Sequence, residues 1–364
     1  MIHLQAQTPE TLAEAMPIVP LAEARKIVGA VHRCDCLPPS VRMVRRATLA
    51  AVRALGSLER LEVCDVRKSR VDPFVKYALQ THDGHLVEAI RIPLDRPGRF
   101  SICVSSQAGC GLGCAFCATG QLGLARNLEA WEIVAQACAV RRDLDRSLRQ
   151  RVHGVVFQGM GEPLANLAGV LQAIKVFCEP SAFAIDSRAI TVCTAGIPEG
   201  IRRLAEEAPK ARLGVSIGSA RPEVRCRLMP IDRVHPLEKV LEAAADHTCR
   251  TGLAPMWAVT PLAGINDTAE DARALAACAW TFLNRTGLRP QIRLIPYNPI
   301  DLSGREPFAR SDDARETAFW RVLHDEGFSA RKRYSGGADV FAACGQLGAR
   351  RPHSRSNECP VLRP

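Results

Sequence analysis

The chain has 364 residues, enough for one large domain and a smaller one. Hydrophobic residues make up 47% and charged residues 24%, a globular balance; no apolar run reaches membrane-span length, and the N-terminus MIHLQAQTPE lacks a signal-peptide pattern. Aromatics at 5% exclude broad stacking platforms for single-stranded nucleic acid, while a net charge of +10 favours a polyanionic partner such as RNA or DNA.

These features are expected of a cytoplasmic protein. There, fifteen cysteines mean metal or catalytic chemistry plus buried thiols rather than a disulfide framework. Cys138, Cys178 and Cys278 sit on apolar helical faces and are expected in the core.

From the N-terminus, residues 9 to 33 carry two helical patterns, and SVRMVRRATLAAVRAL predicts a third helix after Pro38-Pro39. Arg42, Arg45, Arg46 and Arg53 give that helix a basic face, solvated or in contact with RNA. Cys34 and Cys36 form a C-x-C without partners, an incidental pair. These elements define an accessory domain over 1–58. From about 60 to 93 the pattern alternates, and Asp83-Gly84 between two runs signals a hairpin. Pro97 and Gly98 mark a linker that ends a hairpin unit at 59–99.

From residue 100 strands and helices alternate. SICVSS, VHGVVFQ, AITVC, RLGVSI, LAPMWAVT and QIRLIP read as strands with helical stretches between them, and DDARETAFWRVLHDEG reads as a last helix. Six βα units predict an α/β fold: a parallel sheet curled into an open, partial TIM-like barrel over 100–350, followed by a basic tail at 351–364. In such barrels chemistry gathers at the C-terminal ends of the strands. The stretches at those ends are the cysteine-rich loop, Gly159-Met160-Gly161-Glu162-Pro163, Cys193-Thr194-Ala195-Gly196, Ser216, and Tyr297-Asn298-Pro299. Small, polar and glycine residues on one rim predict a pocket. Gly161 lets a ligand approach the backbone, Glu162 can accept from a ligand ammonium, and Ser216 and Asn298 suit a ribose or carboxylate.

The first of these loops is CVSSQAGCGLGCAFC, with Cys110, Cys114 and Cys117 at the spacing C-x₃-C-x₂-C. Gly109, Gly111 and Gly113 let it bend so that three sulfurs aim at one point. Thiolates suit iron–sulfur clusters and zinc. Three sulfurs on a four-iron cluster leave one iron open to hold a substrate. A zinc site with Cys103 as fourth ligand, or a loop of structural cysteines, stays open at this point. Near the C-terminus, ADVFAACGQLG carries Cys344 between small residues, where an ordinary buried thiol is the plain reading.

The C-x₃-C-x₂-C loop resembles the signature of the radical S-adenosylmethionine superfamily. The phrases CVSSQAGC, FCATGQLGLARNL, GMGEPL, GINDT, LIPYNP and AACGQL, in this order, closely resemble the RlmN/Cfr family of radical S-adenosylmethionine RNA methyltransferases. The resemblance spans roughly three quarters of the chain. It implies a [4Fe-4S] cluster on Cys110, Cys114 and Cys117, and S-adenosylmethionine held by Gly161, Glu162, Cys193, Ser216, Ile217, Gly218 and Asn298. It implies that Cys344 carries a methyl group, that a 5′-deoxyadenosyl radical activates it, and that Cys103 resolves the adduct by forming a transient disulfide. Glu88, in VEAIRIP, matches the family's proton acceptor; as a bare hairpin residue it reads as solvated. Covalent carriage answers a chemical problem, since the amidine carbons of adenine are poor nucleophiles. The implied target is adenine C2, or C8, in 23S ribosomal RNA and transfer RNA. A flavodoxin or ferredoxin is the implied electron donor, and a monomer is expected.

The chain departs from the family in three places. Ser216-Ile217-Gly218-Ser219 stands where Ser-Leu-His-Ala is usual, Cys193 stands for a serine, and Tyr334-Ser335-Gly336-Gly337 replaces a basic Arg-Gly segment. These changes bear on the RNA target. Two other classes are weighed: a radical enzyme of different outcome, which has no need of the Cys103 and Cys344 pair, and a non-catalytic RNA-binding protein with a zinc-stapled loop.

Overall fold

The computed structural model describes residues 1–145, 147–300 and 308–348, so the basic tail expected at 351–364 lies outside the described residues. Ile2–His3 (β1) pairs in parallel with Gly56–Ser57 (β2) and closes a unit of three helices, Pro9–Ala15 (α1), Leu21–Cys34 (α2) and Arg46–Leu55 (α3). Helix α1 starts where Thr8 and Thr11 cap each other, each hydroxyl accepting the other's backbone N–H, with Pro9 pre-set in the first turn. Leu12, Met16, Ile27, Val28, Val31 and Val52 bury a small core of their own. The unit docks on the main body: His3 stacks on Trp131 at 5.0 Å, and Gln172 donates to the Ala6 carbonyl at 2.7 Å. Helix α3 is shorter than its pattern suggests. Met43 has a φ of 60° and Arg45 is the extended cap residue, which leaves Arg42 ahead of the helix.

Strands Glu62–Lys68 (β3), Val75–Gln80 (β4), Leu86–Pro93 (β5) and Arg99–Val104 (β6) form an antiparallel meander. The turn between β4 and β5 is at Asp83-Gly84, with Gly84 at a φ of 86°. The sequence suggests a hairpin and linker standing apart at 59–99. Instead these strands extend the barrel's own sheet, with Ile90 of β5 opposite Cys103 of β6. The physical reason is that β5 is covered on both faces: Val87 and Ala89 enter the main core while Ile90 packs with Cys103 on the other side. The expected linker is a tight return in which the Leu94 N–H donates to Arg99 and the Arg99 N–H to Arg96.

Gln107–Cys110 (β7) and Gly123–Asn127 (β8) make a separate two-stranded ribbon around the cysteine loop. Arg151–Phe157 (β9), Ile190–Thr194 (β10), Arg212–Ser216 (β11), Met256–Val259 (β12), Gln291–Leu294 (β13) and Ala330–Lys332 (β14) continue from β6 in parallel. The sheet runs β14-β13-β12-β11-β10-β9-β6-β5-β4-β3, and its two edge strands do not pair, so the barrel is open. The six expected strands are all present. A seventh parallel strand, β14, is added after the last helix; three residues with Arg331 and Lys332 carry no strand pattern.

Helices Ala118–Gln121 (α4), Ala130–Arg142 (α5), Leu167–Cys178 (α6), Pro198–Glu207 (α7), Pro222–Leu228 (α8), Leu237–Thr251 (α9), Ala269–Thr286 (α10) and Asp313–Asp325 (α11) complete the chain. Phe157, Val192, Val215, Trp257 and Ile292 face these helices and form the main core with Phe177 and Phe319. Alternate strand residues point to the concave side. There Cys103, Val156 and Cys193 form a second apolar cluster with Val340, Ala342 and Leu347. Cys138 is buried, and Cys178 and Cys278 pack against the main core. Cys34 and Cys36 are exposed. No helix among the described residues is long and apolar enough to cross a membrane.

Candidate active site

The C-terminal ends of the parallel strands surround one cavity. Cys110, Cys114, Cys117, Gly161, Glu162, Cys193, Ser216, Gly218, Asn298 and Cys344 all line it. Ile217 does not. Its side chain enters the main core, and its carbonyl accepts from Arg225.

The cysteine loop is shaped by its ribbon. Gly109 has a φ of 78°, and a Cβ there would fall 2.0 Å from the Gly123 carbonyl oxygen. Only glycine lets the two strands close so tightly. Cys110 ends β7, and the Cys117 N–H donates back to Cys114, which wraps the loop around its own centre. Burial pushes the Cys110 thiol up to about 11 and raises Cys114 and Cys117 as well. Buried thiols without a cation stay protonated, and a bound metal offsets that cost. All three cysteines line one cavity, an arrangement that suits a cluster held by three thiolates with one iron facing a ligand. Cys103 lines a different pocket and does not complete a four-sulfur zinc site with this loop.

The GMGEP turn is wired to the same loop. Gly161 has a φ of 101°, and a Cβ there would strike Gln107 at 2.6 Å. Gln107 accepts the Glu162 N–H at 2.8 Å, and Ser105 accepts the Met160 N–H at 2.9 Å. The Glu162 carboxylate accepts from Leu164 N–H at 3.0 Å and Ala195 N–H at 2.8 Å. Burial raises its pKa, opposed by those two bonds. A cationic ligand group in the cavity would favour its charged form. Beneath the floor, Arg225 is fully buried. It donates to Ala195 and Ile217 carbonyls at 2.8 Å each and pairs with Asp232. It holds the ends of β10 and β11, and nothing in its sequence context announces this.

Cys344 stands at a junction. It lines the main cavity and also a smaller pocket that contains Cys103. Its segment is tied on every side. The Ala118 N–H donates to Gly345, Thr119 to Leu347, and Gln346 to Pro299. The Asn298 amide donates to the Cys344 carbonyl at 3.1 Å and to Ser335 at 2.7 Å. Glu88 is part of this brace rather than solvated. It pairs with buried Lys76 at 2.8 Å and accepts the Gly348 N–H at 2.9 Å, while Lys76 donates to Phe341 at 3.0 Å. Burial lowers the Lys76 pKa, and Glu88 opposes that.

Burial raises the Cys103 thiol well above the ordinary range and pushes Cys193 up to about 12. The Arg333 guanidinium lies beside Cys344, Cys193 and Cys103 and opposes the upward shift of the last two; it donates to Gln158 at 3.0 Å. Arg333, Gln158 and Lys76 carry no motif signal, since a basic residue near a strand end is commonplace. Cys103 and Cys344 are both free thiols here, so the disulfide implied for them is not formed.

Comparison with known proteins agrees with this geometry. A profile of the radical SAM superfamily matches residues 104–274. A probable RNA methyltransferase of Sorangium cellulosum is 54% identical, covering 95% of this chain and 93% of its own length. A dual-specificity RNA methyltransferase RlmN of Syntrophobacter fumaroxidans is 42% identical over 75% of this chain and 76% of its own. The crystal structure of a radical SAM methyltransferase from Sphaerobacter thermophilus matches with a TM-score of 0.84 and 31% identity, covering 96% of this chain and 100% of that one. With its open parallel barrel and three-cysteine loop, the chain belongs to the radical SAM superfamily and, within it, to the RlmN family of RNA methyltransferases.

Proposed function

We propose that this enzyme methylates an adenine carbon, C2 ahead of C8, in 23S ribosomal RNA or transfer RNA, with Cys344 as the methyl carrier. The observation that supports this most is that Cys344 faces both the cavity of the three-cysteine loop and the pocket of Cys103. A thiol in that position can accept a group on one side and deliver it on the other.

Cys110, Cys114 and Cys117 would hold a [4Fe-4S] cluster, which when bound supplies the electron that cleaves S-adenosylmethionine to a 5′-deoxyadenosyl radical. Gly161, Glu162, Cys193, Ser216, Gly218 and Asn298 bind and orient the S-adenosylmethionine, and Ile217 acts through its backbone only. Arg333 lies beside Cys344, whose sulfur takes a methyl from one S-adenosylmethionine by displacement at the sulfonium methyl carbon, with S-adenosylhomocysteine leaving. The S-methyl group on Cys344 loses a hydrogen to the 5′-deoxyadenosyl radical, and its carbon then adds to the base. The adduct gives one electron back to the iron–sulfur redox chain and one proton to Glu88. The Cys103 thiolate then attacks the Cys344 sulfur, and the sulfur–carbon bond breaks with its electron pair going to the base-bound carbon. That carbon takes a proton to become the methyl group, and the methylated RNA leaves. The resulting disulfide requires two electrons from an external thiol reductant. A flavodoxin or ferredoxin serves as electron donor to a monomer in the cytoplasm.

Anaerobic incubation of cluster-loaded protein with ribosomal and transfer RNA pools, followed by nucleoside mass spectrometry, tests the reaction. 2-Methyladenosine or 8-methyladenosine is the expected product; neither product, with S-adenosylmethionine cleavage intact, overturns it. Cys103→Ala tests the roles of the two thiols. It should accept the methyl, fail to resolve, and accumulate a nuclease-sensitive protein–RNA adduct through Cys344 on a denaturing gel. Normal turnover by that variant, or an adduct on another cysteine, would show the assignment to be wrong.

A further inference from the structure

The departure at Tyr334-Ser335-Gly336-Gly337 has a definite shape. Tyr334 is 69% exposed, yet its ring is fixed. The Tyr334 hydroxyl donates to Asp72 Oδ2 at 2.9 Å, and the same oxygen accepts the Gly337 N–H at 2.8 Å. Asp72 Oδ1 accepts the Phe74 N–H at 3.1 Å. One carboxylate thus pins the turn before β4 and the segment after β14 to each other. The Phe74 ring lies against Tyr334, with centroids 6.2 Å apart and planes inclined by 58°. Gly336 makes room for it: a Cβ there would fall 2.3 Å from the Phe74 ring. Any side chain at 336 and this placement of Phe74 exclude each other.

Phe74, Tyr334, Ile90 and Ile92 wall one side of the pocket that holds Cys103 and Cys344. Arg333, Gln158 and Ser335 supply its polar groups, and no carboxylate lines it. An apolar slot with cationic and amide donors, opening beside an exposed and anchored aromatic face, suits a flat heteroaromatic ring joined to phosphate. In a duplex both faces of a base are already stacked, so only an unpaired base can offer a face to Tyr334. The 58° tilt prevents Phe74 and Tyr334 from sandwiching a ring between them, so Tyr334 is the platform and Phe74 its support.

We propose that Tyr334, supported by Phe74 and anchored by Asp72, is a stacking subsite for an unpaired purine base at the mouth of the Cys103–Cys344 pocket. This rests on the reading of the chain as an enzyme acting on RNA, and it adds the element that selects and holds the base.

The test uses anaerobic, cluster-loaded protein and an end-labelled single-stranded oligouridylate with one central adenine, compared with the same strand carrying an abasic site there. Binding is read by fluorescence anisotropy. Wild-type protein should prefer the adenine strand. Tyr334→Ala should weaken that strand by about 5- to 150-fold, the equivalent of about 1–3 kcal/mol for one base–aromatic stack, and should bind the abasic strand as wild type does. Tyr334→Trp and Tyr334→Phe keep a stacking ring but lose the hydroxyl's bond to Asp72, so each should bind more weakly than wild type and more tightly than Tyr334→Ala. Gly336→Ala, which displaces Phe74, should weaken adenine binding with the abasic strand unaffected. Equal binding of both strands by wild type, or unchanged adenine binding in Tyr334→Ala, overturns the subsite. So does equal loss in the Ala, Phe and Trp variants. If the adenine preference holds and depends on Tyr334 while neither RNA pool is methylated, the subsite stands and the reaction assignment falls. If methylation proceeds and Tyr334→Ala matches wild type in binding and in kcat/KM, the reverse is true.

Discussion

Cys110, Cys114 and Cys117 are buried or half-buried thiols that the fold itself raises in pKa, so a metal is what makes them ligands. Replacing any one with alanine should lower iron and sulfide from about four of each per chain and abolish reductive cleavage of S-adenosylmethionine, because each would supply one iron's protein ligand. Iron and sulfide analysis of anaerobically purified variants, with an assay for 5′-deoxyadenosine, checks this. Lys76 and Glu88 pose a different question, whether Glu88 positions or reacts. Lys76→Met should lower the melting temperature, because removing one partner of a buried pair costs about 3–5 kcal/mol and frees the Phe341 carbonyl. The neutral double variant Lys76→Met/Glu88→Gln should recover most of that loss, since neither charge is then stranded. If it also recovers methylation, Glu88 is a brace only. If it melts normally yet stays inactive, Glu88 handles a proton.

The N-terminal helices show how an element can be legible in type and still misread in use. The basic face read from Arg42, Arg45, Arg46 and Arg53 is partly spent inside the protein: Arg45 pairs with Glu23 at 2.7 Å and Arg53 donates to Pro38 at 2.7 Å. Arg42 and Arg46 are exposed, with no ion pair among the described residues. Arg42→Glu/Arg46→Glu should therefore reduce the slope of log K against log salt for RNA by about 0.7–0.9 for each phosphate that is no longer neutralised. An unchanged slope in a salt titration would mean that this face is merely solvated. The same unit titrates. His32 of α2 is buried against Phe183, and burial holds its pKa at about 3; His247 of α9 is held at about 4 for the same reason. Both folded values lie below the unfolded value, so the stability they carry is complete above about pH 6.5 and is lost as pH falls below it. At pH 5 each histidine should cost about 2 kcal/mol. Thermal melts should drop between pH 7 and pH 5, with a shallower drop in His32→Leu, which cannot gain that proton.

At the scale of the whole molecule, the sheet makes the strands from Glu62 to Pro93 inseparable from the barrel. Strand β5 covers the edge of β6, and Lys76 and Glu88 on β4 and β5 hold the Cys344 segment. A chain truncated before residue 99 should lose its compact fold and aggregate through the bared β6 edge, seen as loss of a monomeric peak in size-exclusion chromatography. Several features are properties of local sequence. The alternation of apolar runs set the six parallel strands and their helices. The glycines and cysteines of residues 109–117 set the loop, and strand-end placement brought Glu162, Cys193, Ser216 and Asn298 to one cavity. Other features depend on interactions between residues far apart in the chain. Lys76 meets Phe341, Asp72 meets Gly337, and Arg333 meets Gln158, none of which a local period or motif encodes. Ile217 fell in the core because strand alternation sends every second residue away from the cavity. Ligand spacing and strand-end position are short-range, so the cysteine loop and the strand-end lining of the cavity were legible in the chain. The seating of Cys344 between two pockets, and the aromatic face beside it, were decided only when the segment after β14 closed onto β4 and β5. That closure buries apolar surface contributed from both ends of the sheet and covers the Lys76–Glu88 pair of β4 and β5.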